Sequence, residues 1–343
     1  MKNGLKFPAA LCLIIGLFTG FSSPPADAET IQWNLSLWGE KRAWTRPVHL
    51  WADAMATQTK GAWKIRIHYR SKLAPAADNW DGIKAGKFEA AGVCMAYSPE
   101  KVSLHTVQEL PFIAPDGTED IARMWIALWE HPAMLKELLR WNAVPLLPAG
   151  DSQTQLMGTQ PVRTVSDLNR RRIRAGGEIA NVLKRFGAAT TMMVPEDAYK
   201  ALGRGTIDLV AMPWAYGFGS YKIHEVSKYA TDKISLGTTG CVFIANKDAW
   251  DALPDGFKKL HQNWYDQAPE AWKAAYSAAD KKWVQIFKKR IDIVAFPERE
   301  REKLVFRARE VYDAWRAARE AEGLPGKEIL EYYLRKREAL TGK

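Results

Sequence analysis

Residues 189–214, ATTMMVPEDAYKALGRGTIDLVAMPW, decide the fold class. A short β-rich run, ATTMMV, leads to Pro195, which opens a helical stretch, PEDAYKALGRG, stopped by glycine; TIDLVAMPW then returns as a buried strand. The same order occurs earlier in the chain. WKIRIHYRSKL (63–73) alternates apolar and polar residues, DNWDGIKAGK (78–87) gives a short helix ended at Gly86, and FEAAGVCMAY (88–97) is an apolar strand. Two strand-helix-strand units on one plan predict an α/β protein of two lobes.

Helical stretches flank both units. One covers DIARMWIALWEHPAMLKELLRW (120–141); the other, 256–290, reads as one long helix able to run along both lobes. TGCVFIANKDAWDALPDG (239–256) reads as strand, helix start and turn, and IDIVAFPERE (291–300) as a last strand before charged C-terminal helices. The chain therefore crosses between lobes more than once. The division expected is 29–150 with about 239–270 for the first lobe, and 151–238 with about 271–343 for the second. No low-complexity tract, heptad array or Pro/Ser/Gly linker intervenes, so the lobes share hinges rather than a tether.

The N-terminus carries Lys2 and Lys6, then FPAALCLIIGLFTGF, then small residues ending at Ala26-Asp27-Ala28, the pattern of a secretory signal peptide over 1–28. Cys12 sits inside the apolar run without the small-residue context of a lipid-acceptor cysteine, so no lipid anchor is expected. No later run is apolar enough to span a membrane, and a soluble periplasmic protein is the expectation. An oxidising compartment permits a Cys94–Cys241 bridge, but each cysteine lies in an apolar strand-like run, which favours two buried thiols. The net charge of +10 is scattered among Glu and Asp along helices, the mark of a solvated basic surface compatible with small anionic ligands.

RRRIRAGGEIANVLKRFG (170–187) places a cationic fork before a glycine pair and an apolar helical pattern. Arg172 and Arg174 share one face of a short strand, and Ile179, Val182, Leu183 and Phe186 mark one helical face. Arg174 thus stands near a helix start, where unpaired amides and the positive end of the dipole favour an anion, and a guanidinium matches a carboxylate with two parallel bonds. Taken alone, the segment equally fits arginines exposed along a strand edge.

Several segments together resemble the substrate-binding proteins of tripartite ATP-independent periplasmic (TRAP) transporters, the DctP-type family: DLNRRRIRAGG (167–177), FGAATTMMVPEDAYKALGRGTIDLVAMP (186–213), EVSKYAT (225–231), VQELPFI (107–113) and DAWDALPDG (248–256). Their order covers nearly the whole chain after residue 28. The resemblance implies the two-lobed periplasmic binding-protein fold, with hinge strands and a long helix bracing both lobes. It also implies an organic acid bound in the interlobe cleft and delivered to TRAP membrane subunits, without chemistry on the ligand. The family's carboxylate-pairing arginine corresponds to Arg174.

Two departures from the family pattern bear on the ligand. Where many members carry a second arginine, this chain reads AGDSQTQLMGT, with Thr154 at the matching place and Gln153 and Gln155 beside it. Where the family has Asp-Gly and then Asn before proline, this chain has Asp208-Leu209 and Met212-Pro213. Aromatic residues cluster nearby in PWAYGFGSY, with Trp214 and Tyr216, and near first-lobe cleft loops at Trp38, Trp44, Trp80 and Tyr97. One arginine, fewer polar partners and added rings favour an apolar or aromatic monocarboxylate over a C4-dicarboxylate or sugar acid. Some 2-oxo acid members hold a metal through acidic residues near the second-lobe strand; AMPW lacks an acid there, so no metal or other cofactor is expected.

The six histidines form no H-E-x-x-H, the cysteines no C-x-x-C, and G-x-S-x-G, the P-loop and G-x-G-x-x-G are absent. A periplasmic enzyme acting on a small acid would need carboxylates such as Glu109, Glu196 and Asp208 gathered in a cleft, whereas Glu196 and Asp208 fit a helix start and a strand end. KRAWTR (41–46) is the one short basic-aromatic stretch and fits a cleft loop, so no nucleic-acid partner is expected, and the receptor is expected to be a monomer.

Overall fold

The computed structural model describes residues 30–342, except for the side chain of Tyr216; the signal peptide expected over 1–28 lies outside the described residues. The strands are β1 (Ile31–Ser36), β2 (Trp63–His68), β3 (Ala90–Cys94), β4 (Ala143–Leu147), β5 (Thr154–Gly158), β6 (Arg172–Arg174), β7 (Ala189–Thr191), β8 (Leu209–Pro213), β9 (Tyr229–Asp232), β10 (Cys241–Asn246) and β11 (Asp292–Ala295). The helices are α1 (Arg46–Gln58), α2 (Asn79–Lys84), α3 (Thr118–Trp129), α4 (Pro132–Leu139), α5 (Gly177–Lys184), α6 (Pro195–Gly203), α7 (Lys247–Asp251), α8 (Asp255–Tyr265), α9 (Ala268–Lys288), α10 (Glu298–Ala321) and α11 (Gly326–Thr341).

The two repeated units build two sheets of matching order. The first is β2-β1-β3-β10-β4 and the second β7-β6-β8-β5-β9, extended by β11. In each, an earlier strand inserts between the two strands of the repeated unit and pairs parallel with both: β1 between β2 and β3, β6 between β7 and β8. An antiparallel strand closes the parallel part, β10 beside β3 and β5 beside β8. The fully buried β3, β8 and β10 read as near-continuous apolar runs, as strands covered on both faces do.

The chain crosses between sheets from β4 to β5 and again from β9 to β10. The long helical stretch over 256–290 is not one helix. α8 ends at Tyr265 and α9 begins at Ala268 with Pro269 in its first turn, where a proline is accepted because it removes no intrahelical bond. Proline likewise opens α4, separating it from α3.

α9 is the brace across both lobes. Near its start Arg123 of α3 meets Glu270 at 2.6 Å and Lys273 meets Glu119 at 2.8 Å; near its end Phe287 packs on Trp214 with ring centroids 5.6 Å apart. α10 lies along α5, but α11 returns to the first sheet's side. There Tyr332 donates to the Ala127 carbonyl at 2.9 Å and Lys336 pairs with Glu130 at 2.7 Å. The segment 326–341, grouped with the second lobe on sequence grounds, thus packs on α3 of the first.

Cys94 and Cys241 are bonded rather than free thiols. They are directly opposed partners in the antiparallel β3/β10 pair, with Cα atoms 4.0 Å apart, a cross-strand proximity that the separation of 147 residues conceals in the sequence.

Candidate functional site

β6 delivers its two arginines to different surroundings. Arg172 is exposed and forked on Asp208, with Nη2 2.6 Å from Oδ1 and Nε 3.1 Å from Oδ2, and these bonds hold the Asp208 carboxyl below its usual range. Asp208 is a strand-end anchor. Arg174 is buried, 7% exposed, and forms no ion pair among the described residues. Its Nε donates to the Met193 carbonyl at 3.1 Å and its Nη1 to the Ala211 carbonyl at 3.3 Å. A buried guanidinium held by two carbonyls, with no acid paired to it among the described residues, is suited to an anion.

Arg174 lines a cavity of about 50 Å³ between the lobes. From the second lobe come Thr154, Ile179, Met192 and Met212; from the first, Tyr97, Glu109, the Cys94–Cys241 bridge, Thr238 and Thr239. The Oγ1 atoms of Thr154 and Thr238 and the Oε2 of Glu109 are buried without a hydrogen-bond partner. Buried polar groups are paired in the great majority of cases, so three unpartnered oxygens on one cavity mark it as a place built for a polar guest.

The glycine pair of the arginine segment does not leave an open approach to the helix. A Cβ on Gly176 would fall 2.4 Å from Met192 Sδ, and one on Gly177, whose φ is +55°, would fall 2.1 Å from Glu109 Oε2. The space before α5 is taken by side chains of this chain, Glu109 reaching it from the first lobe.

Of the aromatic residues expected at the cleft, Tyr97 lines the cavity. Trp38 stands one ring away, edge-on to Tyr97 at 5.6 Å, and borders a neighbouring interlobe groove of about 610 Å³ with Val194, Tyr199 and Tyr221. Trp80 is core: α2 turns it and Ile83 inward, leaving it 1% exposed. Trp214 opens a π-helical turn, Trp214–Gly219, and packs on Phe218 and Phe287 away from the cavity. The Tyr216 side chain lies outside the described residues. Gln153 turns aside to donate to the Pro115 carbonyl at 2.7 Å, and Gln155 bonds Ser235, so β5 offers the cavity Thr154 alone. Thr238, Thr239, Ile179 and Met192 escaped the sequence reading; the polar pair before β10 in GTTGC was the available signal.

The hinge adjoins this site. Asp151, between β4 and β5, accepts from the Thr239 hydroxyl that precedes β10, joining these two crossings, and faces Tyr276 of α9. Burial pushes Asp151 up to about 7, and burial likewise raises Asp280 of α9 to about 6.

Residues 36–318 match the family model for the bacterial extracellular solute-binding protein, family 7, DctP. The chain belongs to this family. A monocarboxylate 2-oxoacid-binding periplasmic protein of Nostoc sp. (strain PCC 7120) is 23% identical over 258 residues, 74% of this chain and 70% of that protein. Among solved structures, a TRAP solute-binding protein of Rhodoferax ferrireducens T118 in complex with copurified benzoate superposes with a TM-score of 0.80 at 20% identity, covering 91% of this chain and 99% of that one. A marine metagenome TRAP solute-binding protein specific for aromatic acid ligands, in complex with 3-hydroxybenzoate, gives 0.81 at 18% identity with the same coverage, 91% and 99%. Family 7 proteins are bacterial extracellular solute-binding proteins, and these solved structures of the same fold are TRAP solute-binding proteins. The two sheets, the repeated crossings between them and the α9 brace of this family 7 protein are its two-lobed binding fold. No helix among the described residues is long and apolar enough to cross a membrane.

Proposed function

We propose that this family 7 protein is the periplasmic receptor for an apolar or aromatic monocarboxylate, exported by its signal peptide and acting as a monomer. The ligand carboxylate pairs with Arg174 in the interlobe cavity, and the hydroxyls of Thr154 and Thr238 complete its hydrogen bonds. The observation that carries this reading is Arg174 itself: a buried cation without an ion-pair partner, in a cavity bordered by unpartnered hydroxyls. With Thr154 where relatives hold a second arginine, the cavity has one cation for one carboxylate. Tyr97, Ile179, Met192 and Met212 supply apolar wall for the ligand body. Two solved relatives of the same fold carry aromatic monocarboxylates in their complexes, which agrees with this class.

A cavity of about 50 Å³ admits such a ligand as the lobes part, through the crossings around Asp151 and Thr239. Ligand contacts made to both lobes then favour closure, and the closed outer surface is what the membrane subunits recognise.

A thermal-shift screen of the ligand-stripped protein tests the reading, because a ligand that binds only the folded state raises its stability. Benzoate, hydroxybenzoates and branched aliphatic monocarboxylates are expected to raise the melting temperature. A shift with C4-dicarboxylates or uronates alone overturns the ligand class, and turnover of the acid overturns the receptor reading.

A further inference from the structure

Among the described residues, Glu109 is the one acid on the cavity wall and Arg174 the one cation. It ends a 3₁₀ turn, His105–Glu109, of the first lobe, and its side chain is held from one side only. Oε1 accepts from the Ala96 and Gly240 amides, each at 3.1 Å, while Oε2 is buried without a partner over the Cα of Gly177. The carboxyl is thus fixed by two backbone bonds with its second oxygen presented at the lobe interface, 2% of the residue being exposed.

The charges around it do not balance an ionised Glu109 beside a bound anion. α5 faces it with Glu178, whose own partners are Asn181 and, more distantly, Arg319 and Lys184. The segments at Ala96 and Gly240 bring amides alone, and β6 brings Arg174 to the same cavity. On its own turn His105 is engaged by Glu137 at 2.6 Å, and Arg337 of α11 donates to the Ile113 carbonyl. A ligand carboxylate and an ionised Glu109 would leave two buried negative charges to Arg174 alone. A neutral Glu109 removes that excess and turns Oε2 from an acceptor into a donor.

We propose that Glu109 is a ligand-contact residue that works as a carboxylic acid, donating its Oε2 proton to the anion held by Arg174, so that the ligand enters the closed site together with one proton. The proposal rests on the reading of this cavity as a carboxylate site. It gives the receptor a preference that Arg174 cannot supply: an anion with an acceptor toward the first lobe is favoured, and affinity depends on pH. Burial, reinforced by the Glu178 charge and opposed by the two amides, pushes Glu109 up to about 7, in accord with that role.

Two measurements test it. Isothermal titration of benzoate into the mature protein at about pH 7.5, in buffers of different ionisation enthalpy, counts the protons taken up. Uptake approaching one proton is expected, with affinity falling about tenfold per pH unit above about 7, and the isosteric Glu109→Gln is expected to bind benzoate with neither effect. Equal proton counts in the two proteins, or a flat pH dependence in the parent, overturn the proposal; the parent's profile decides even where the variant fails to fold. The second measurement is the carboxyl ¹³C titration of ligand-free protein, with the Glu109 signal assigned by its loss in Glu109→Gln. A midpoint near 7 supports a neutral acid in the cavity, and one below about 5 overturns it. Benzoate failing to bind at about pH 6 would count against the monocarboxylate reading, and the ¹³C midpoint would then decide the role of Glu109 by itself.

Discussion

The two lobes share one strand order and differ in what that order presents at the cleft. In each sheet the inserted strand points its C-terminal end toward the interface, where ligands of open α/β sheets gather. In the first lobe that end is Ser36, buried and bonded to Asn79 at 2.9 Å, followed by Leu37 and Trp38; in the second it is Arg174. The first lobe also carries the disulfide, and its one cavity charge is Glu109. One architecture has thus been divided into a charged half that anchors and a stapled half that covers.

The sharpest way to break this comparison is within β6. Arg174→Ala is expected to weaken benzoate binding by about 2–5 kcal/mol, because it strands a desolvated carboxylate. Arg172→Ala, two residues away, is expected to leave binding unchanged and to change stability little, as loss of an exposed ion pair does. Calorimetry on both variants separates the roles, and equal losses would erase the distinction.

The staple comes next. Reduction, or Cys94→Ala with Cys241→Ala, is expected to lower unfolding stability by about 2–4 kcal/mol in urea, given the long loop that the bridge closes. An unchanged urea midpoint would mean that β3 and β10 hold their register without it.

A smaller effect is expected at the hinge. Asp151 and Asp280 have folded-state values raised above the ordinary 3.8, to about 7 and about 6. The protonated forms are favoured on folding, so their contribution is fully present below about pH 4 and is lost as pH rises through about 6 to 7. Asp280→Asn removes one such loss and is expected to stabilise the protein by about 1 kcal/mol or more at pH 7.5, with no gain at pH 4. Paired melting curves at the two pH values check the sign. Smallest of all, Thr154→Val is expected to cost benzoate about 0.5–1.5 kcal/mol, the worth of one neutral hydrogen bond.

The architecture was legible because it rests on local signals. Pro195, the stopping glycines and the apolar strands repeat in order, and all fall in the elements they predict. The position of Arg174, at the end of β6 just before α5, was legible through its place between a strand and a glycine pair. What escaped the sequence depends on partners distant along the chain. Strand alternation turns Thr154 inward and Gln153 toward Pro115. The β3/β10 register brings Cys94 to Cys241. Trp80 is buried by α2, and Trp214 is half-buried against Phe218 and Phe287, so a tryptophan near a cleft in sequence can serve packing instead. The glycine pair leaves no room for an anion: Met192 and Glu109 occupy that space, and Glu109, coming from the opposite lobe, is invisible from the segment itself.

The most direct test of the account is the crystal structure of the protein with an aromatic monocarboxylate bound. The ligand carboxylate is expected within about 2.7–3.2 Å of the Arg174 guanidinium, bordered by the hydroxyls of Thr154 and Thr238. A carboxylate bound elsewhere, such as in the groove beside Trp38, Arg70 and Lys222 with Arg174 left unpaired, would contradict it.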